Sequence, residues 1–375
     1  MDLGALVPEL LKGLANFTPG NAVMIAAGLV LVYLAVTKEY EPVLLLPIGF
    51  GCILANIPLA GMTAGEGMMA VIYNAGISTE LFPLLIFIGV GAMIDFSPLL
   101  AQPKMVLLGA AGQFGIFGTL ILAVLIGFPL NQAASIGVIG AIDGPTSIFV
   151  ATKLAPELLA PIAVAAYSYM SLIPIIQPPL MRLVTTKQER SIRMEYAPRP
   201  ISRSTLVAFP IIITLAVGLL VPEATPLISM LMLGNLLKVS GVVDRLSRAA
   251  QNEIINVATL FLGLAIGATM SAVAFLNVDT LKIMFLGLLA FALDTVAGLL
   301  FGKLMCALSR GKVNPLIGAA GISAFPMAGR LAARMASEED PDNFILMHAM
   351  GANTAGQLGS VMAGGILLAI VSKLI

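Results

Sequence analysis

The feature that most constrains this chain is a succession of apolar stretches, most of them near the length that crosses a bilayer. About 20 apolar residues in a helix cover roughly 30 Å of hydrocarbon. Ten stretches read this way: 21–37, 42–60, 81–94, 105–128 and 158–181, then 205–221, 226–239, 255–276, 281–308 and 343–371. Of the 375 residues, 59% are hydrophobic and 11% charged, against about 25% charged in an ordinary soluble domain. A soluble chain needs a wet shell that this composition does not supply. Disorder needs low hydrophobicity and high net charge, and is excluded with it. The 20 basic and 20 acidic side chains cancel, so no net field points to nucleic acid. The expected fold is an all-α polytopic membrane protein of about ten spans, with membrane lipid as its solvent.

Two further segments, 131–153 and 312–335, are apolar but interrupted by Gly, Pro and polar residues. They read as re-entrant or broken helices, which membranes accept where the freed backbone finds partners in the protein. Between the halves lies the longest polar stretch, with Arg182, Lys187, Arg190, Arg193, Arg199 and Arg203 against Glu189 and Glu195. The positive-inside rule makes this linker cytoplasmic. The expected organisation is a first membrane repeat over 1–181, a linker over 182–204 and a second repeat over 205–375.

The halves look related. Gly51 and Gly234 close similar segments that begin at Pro42 and Pro226. Gly91-Ala-Met matches Gly267-Ala-Thr-Met, and Ile139-Gly-Ala matches Ile317-Gly-Ala. About five spans per half, an odd number, makes the second copy inverted. Inverted repeats with paired broken helices are a secondary-transporter architecture, with sites near the midplane.

Other features carry little chemistry. Cys52 and Cys306 lie in apolar runs and read as packing residues. His348, the single histidine, cannot build a metal site alone, and no tryptophan is present for an aromatic belt. Asp2, Pro8, Glu9 and Pro19 make the N-terminus unlike a cleavable signal.

The polar exceptions inside apolar segments are the candidates for function. Asp143 lies in Ile139-Gly-Ala-Ile-Asp-Gly-Pro-Thr-Ser147, where Gly144-Pro145 must break a helix. A carboxylate with freed carbonyls and the hydroxyls of Thr146 and Ser147 suits a hard cation such as Na+, and an intramembrane acid marks an ion path. The same residues also fit a wet turn in which Asp143 caps a helix. The matched segment carries Asn314, Ser323 and Arg330. Two readings of Arg330 stand: a planar fork for a carboxylate, or a side chain that snorkels or pairs with an acid in 338–342. Tyr167 and Tyr169 flank Ser168 on an apolar span, as packing or as a proton relay. Asn353 and Gln357 sit four apart on one helical face of a small/polar stripe. Asp294, within 281–308, has no partner at helical spacing. Asp95, Glu66 and Glu80 fall at span ends or loops.

Four long segments together resemble one family: GAIDGPTSIFVATKLAP (140–156), AVAAYSYMSLIPIIQPP (163–179), NPLIGAAGISAFPMAGR (314–330) and HAMGANTAGQLGSV (348–361). The chain is similar to β subunits of the sodium-pumping, biotin-dependent decarboxylases of oxaloacetate, methylmalonyl-CoA, glutaconyl-CoA or malonate. The resemblance implies a multi-pass protein of the bacterial inner (cytoplasmic) membrane that works with a carboxyltransferase, a biotin carrier and a small membrane anchor subunit, and that is compatible with homo-oligomers. It implies decarboxylation of carboxybiotin delivered by the carrier, with no biotin attached to this chain, consuming a proton and coupled to Na+ export. By the same resemblance Asp143 is the central Na+-linked residue. Tyr169, Asn314, Gly318, Ser323 and Arg330 match positions tied to Na+ binding, proton delivery or decarboxylation, with Arg330 set to meet carboxybiotin, and Asn353 is a further ligand. Without the resemblance, a Na+/carboxylate symporter fits the same residues, whereas a purely structural anchor would not need them. The compact length favours a CoA-ester decarboxylase as partner.

Overall fold

The computed structural model describes residues 11–63, 65–195 and 200–375. Asp2, Pro8, Glu9 and Arg199 lie outside them. The described residues form helices joined by short connections, with no strand. The principal helices of the first half are α1 (Pro19–Thr37), α2 (Pro42–Ala55), α3 (Met68–Gly76), α4 (Leu81–Met93), α5 (Val106–Ala111), α6 (Phe114–Ile126), α7 (Leu130–Gly137), α8 (Gly144–Leu154) and α9 (Leu159–Val184). Those of the second half are α10 (Arg203–Leu220), α11 (Thr225–Ser240), α12 (Ile255–Ala268), α13 (Val278–Leu308), α14 (Met327–Glu339) and α15 (Leu346–Val371). Tight 3-10 turns at Val138–Ala141 and Pro315–Gly321 precede α8 and α14.

Seven helical stretches are long and apolar enough to cross a membrane, and α3 with α4, bent by 60°, makes an eighth if counted as one span. The chain therefore folds differently from ten straight runs. The run 42–60 is helical only to Ala55. The run 105–128 breaks at Gly112-Gln113. The helix of 255–276 ends at Ala268, but starts at Asp244 through a π turn at Ala250–Ile254.

Local chemistry sets many of these ends. Thr18 and Asn21 form a reciprocal capping box before α1, and Pro19 follows, where its missing N–H costs nothing. Gly127 and Gly241 close α6 and α11 in the left-handed conformation that glycine adopts without strain.

α1 and α10 turn large apolar side chains outward, among them Leu29, Tyr33, Leu215 and Leu219. α9 and α15 are largely buried. α2 packs on α12, and α4 on α11. Glycines permit both crossings: a Cβ on Gly51 would lie 2.5 Å from Leu264 O and 3.2 Å from Gly267 Cα. Gly91 and Gly234 meet the opposing backbone of α11 and α4 in the same way. Such close approach drives association where lipid cancels the hydrophobic effect between helices.

α13 runs behind both 3-10 turns, with Gly298 against Gly318. Asp294, fully buried on α13, accepts from the backbone N–H of Gly115 in the first turn of α6. A helix start carries free N–H groups and positive partial charge, so Asp294 caps, from another helix, the end created by the Gly112-Gln113 break.

The linker is docked, not loose. Thr186 and Glu189 form a capping box on its short helix Lys187–Arg190. Arg190 pairs with Glu339 at 2.6 Å, Arg193 with Asp340 at 2.6 Å, Arg182 with Glu338 at 3.3 Å and Lys303 with Glu189 at 3.3 Å. Hydrogen bonds from Arg190 and Arg193 hold the Glu339 and Asp340 carboxyls below their ordinary range.

Candidate functional site

The first break is built from residues that cannot continue a helix. After the Val138–Ala141 turn, Ile142 takes φ 54°, a left-handed conformation costly for a β-branched residue. Asp143 is extended, and Gly144-Pro145 opens α8. Asp143 therefore does cap a helix, accepting from Thr146 N at 3.2 Å. It does so deep in the protein, only 5% exposed, and not in a wet turn.

Its second oxygen carries the heavier load. Oδ2 accepts from Thr146 Oγ1 at 2.8 Å, Gln357 Nε2 at 2.9 Å and Ser360 Oγ at 2.8 Å. The last two come from α15, more than 200 residues away in sequence. Every donor is neutral. A buried carboxylate without a cation is costly, and each hydrogen bond to it is worth about 1.5–3 kcal/mol.

Asp143 faces a cavity of about 300 Å³, lined also by Glu41, Phe87, Tyr167, Ser323 and Gln357. No lysine, arginine or histidine among the described residues lines it. Among the described residues no three His, Cys, Asp or Glu side chains gather, so the donor set is the deep Asp143 carboxylate, with Glu41 on the wall, and neutral oxygens. That is the chemistry of a hard cation, not of a thiolate- or imidazole-bound metal. A larger groove of about 540 Å³ between α5, α10 and α15 is almost wholly apolar, with Gln113 its one polar side chain among the described residues, and does not include Asp143.

The two breaks meet: Ser323 N donates to Ala141 O at 3.3 Å, and Ser323 Oγ to Gly356 O at 3.3 Å. Asp143 and Ser323 therefore come together in one cavity. The other residues singled out from the sequence stand elsewhere. Asn353 donates to Ile322 O at 2.7 Å, holding the second break, and its Oδ1 has no partner among the described residues. Gln177 likewise holds Ala319 O at 2.8 Å. Asn314 caps the second 3-10 turn and donates to Arg190 O and Ile192 O of the linker. Gly318 is buried against Gly298. The Tyr169 hydroxyl donates to Met284 O on α13. Arg330 is exposed in the first turn of α14 and takes part in no ion pair among the described residues.

Gln357 and Ser360, which bind Asp143, and Tyr167 and Glu41, which line the cavity with Gln357, are the site residues that sequence reasoning placed too low or passed over. The signal for the first two was present: three residues apart, they share a helical face of the small/polar stripe. Glu41 carried none, because it sits at the end of an apolar run.

A bundle of apolar helices, with a neutral-donor carboxylate site at paired helix breaks, defines a multi-pass membrane protein. Residues 20–371 match the model of the Na+-transporting oxaloacetate decarboxylase beta subunit, and the chain belongs to that family. It is 56% identical over 362 residues to the methylmalonyl-CoA decarboxylase subunit beta of Veillonella parvula, covering 96% of both chains. It is 54% identical over 360 residues to the glutaconyl-CoA decarboxylase subunit beta of Acidaminococcus fermentans, again 96% of both. Identity to the oxaloacetate decarboxylase beta chain of Haemophilus ducreyi is 45% over 425 residues, 97% of this chain and 98% of the relative. That family is one of beta subunits of sodium-transporting decarboxylases.

Proposed function

We propose that this subunit decarboxylates carboxybiotin presented by a partner biotin carrier, consuming a proton, and couples that reaction to Na+ export across the bacterial inner membrane. The observation that carries the reading is Asp143: a buried carboxylate satisfied by four neutral donors, facing a cavity that no basic side chain lines among the described residues. Such a site favours a cation. Oδ1 accepts only the Thr146 N–H, so it keeps lone-pair capacity for one. Ser323 Oγ supplies a neutral oxygen on the same cavity.

Carboxybiotin, when delivered, supplies the exergonic loss of CO₂. Arg330 fits the anion: it is exposed, unpaired among the described residues and at the start of α14, where the helix dipole also favours negative charge. The remaining residues serve the site through the backbone. Asn314 and Gly318 fix the second 3-10 turn, Asn353 fixes Ile322, and Tyr169 ties α9 to α13. In this account they position the Na+ and proton steps. The carrier, a carboxyltransferase and a small membrane anchor complete the complex, and copies of this chain can associate.

We further propose that 1–181 and 205–375 are inverted repeats around the linker 182–204, which faces the cytoplasm. Support comes from the order of elements, which recurs as outer helix, short helix, bent or long helices, 3-10 turn, short helix and long helix. It also comes from the crossings. Exchanging Gly51 with Gly234 and Gly267 with Gly91 turns the α2–α12 contact into the α11–α4 contact. Rocking of one bundle against another would then give alternating access.

The higher identities to CoA-ester decarboxylase subunits favour such a partner. The alignment to the oxaloacetate chain spans 425 positions, more than this chain's 375, so that relative carries insertions absent here. The test is purification with native partners, reconstitution into vesicles and assay with each candidate acid. Decarboxylation and Na+ uptake that avidin abolishes are expected. Na+ uptake indifferent to avidin would point to a Na+/carboxylate symporter instead.

A further inference from the structure

We propose that the Tyr167 hydroxyl is an oxygen ligand of the Na+ ion held at Asp143; this deepens the reading above and rests on it. Tyr167 lies on α9 with its ring against Gly144, the residue next to Asp143, so close that any Cβ at Gly144 would collide with it. The ring is 1% exposed, yet it lines the Asp143 cavity. Its hydroxyl is buried and has no hydrogen-bond partner among the described residues.

A buried hydroxyl left unpaired costs stability, and phenylalanine would avoid that cost at the same shape. An unpaired hydroxyl on a cavity wall is explained if the cavity's occupant is its partner. The occupant's charge follows from the lining. Among the described residues Glu41 and Asp143 are the carboxylates lining it, and no basic side chain opposes them. A cation relieves both, whereas an anion would meet like charge. Asp143 Oδ2 already accepts three donors and Oδ1 only one. A cation on Oδ1 therefore needs further oxygens; Tyr167 and Ser323 line the cavity with Gln251, Asn256 and Thr259, and of these Tyr167 has a buried hydroxyl without a hydrogen-bond partner among the described residues.

The neighbouring tyrosine shows the contrast. Two residues on, it points about 200° around the helix. Tyr169 gives its hydroxyl to Met284 O and packs its ring near Gly287. Tyr169 thus fastens α9 to α13, while Tyr167 keeps its hydroxyl for a ligand.

The experiment uses the assembled complex in detergent. Equilibrium ²²Na+ binding and the thermal unfolding midpoint in Na+-free buffer are measured for wild type, Tyr167→Phe and Asp143→Asn. Tyr167→Phe is expected to keep or raise the midpoint while weakening Na+ binding on the order of five- to tenfold, the loss of one neutral ligand. The Na+ concentration for half-maximal decarboxylation should rise by the same factor. Wild-type Na+ binding in Tyr167→Phe, with binding abolished in Asp143→Asn, would overturn the Tyr167 assignment alone. Failure of Tyr167→Phe to assemble would also overturn it, because the hydroxyl would then be needed by the fold. Undiminished binding in Asp143→Asn would remove the parent reading, and the Tyr167 ligand with it.

Discussion

The Ser360 hydroxyl donates to Asp143 Oδ2 at 2.8 Å, so the last long helix of the chain holds the carboxylate at the first helix break. Gln357, one turn earlier on the same helix, donates to the same oxygen. Ser360→Ala and Gln357→Leu should each destabilise the complex, by about 1.5–3 kcal/mol if the carboxylate stays ionised. The two donors share one acceptor, so the double variant should depart from additivity by about 0.5–3 kcal/mol. Denaturation midpoints of the four proteins give the cycle, and strict additivity would mean that the donors act independently.

Asp294 is, with Asp143, one of two buried acids among the described residues, and its hydrogen bond to the first turn of α6 gives it a structural task. Asp294→Asn retains a carbonyl oxygen for the Gly115 N–H and should assemble and pump Na+. Asp294→Ala loses the cap, at about 0.5–2 kcal/mol, and should lower the thermal midpoint. Loss of Na+ transport in a stably assembled Asp294→Asn would instead place this acid on the ion path.

The docked linker should respond to acid. Asp340 is held below its ordinary value of 3.8 by the hydrogen bond from Arg193, and Glu339 below 4.5 by that from Arg190. For carboxyls so depressed, the stabilisation is fully present above the unfolded values and is lost as pH falls through the folded ones. Limited proteolysis of residues 182–195 should therefore be equally slow from pH 7 to about 5, and faster only below about 4. Asn343→Ala should raise cleavage at neutral pH, since Asn343 Nδ2 donates to Arg190 O and Ile192 O, both at 3.1 Å. Asn314 donates to the same two carbonyls.

Tyr169→Phe removes the bond to Met284 O. The cost should be about 1 kcal/mol, the net worth of one neutral hydrogen bond, read as a lower unfolding midpoint. An unchanged midpoint would mean that the α9–α13 contact rests on packing alone.

Much of the architecture was legible because hydrocarbon length and broken segments leave coarse marks. The apolar runs located the helices, and Gly144-Pro145 located the break at which Asp143 sits. The span count was less legible. Gly112-Gln113 interrupts an apolar run without proline, and the π turn before α12 lengthens another. Neither changes the hydropathy that the reading relied on.

The candidate site was legible in its centre and not in its periphery. Asp143 stood out as a charge in an apolar segment, and Ser323 through the matching break. Which of Asn353, Gln357 and Ser360 reaches Asp143 depends on the rotation of α15, and which of Tyr167 and Tyr169 faces the cavity on that of α9. A tertiary packing angle fixes each. Asn314 matches a Na+-linked position by resemblance, and its amide binds the linker backbone, a long-range contact with no local signature.

The central claim is that Asp143 holds the Na+ that the decarboxylation drives outward. Its most direct test is ²²Na+ uptake into inverted vesicles containing the reconstituted complex, wild type against Asp143→Asn, with decarboxylation followed in the same samples. Asp143→Asn should assemble, because a neutral amide can still accept at its carbonyl oxygen, and should lose both Na+ uptake and Na+-stimulated decarboxylation. Wild-type uptake and Na+ dependence in the assembled Asp143→Asn complex would contradict the account.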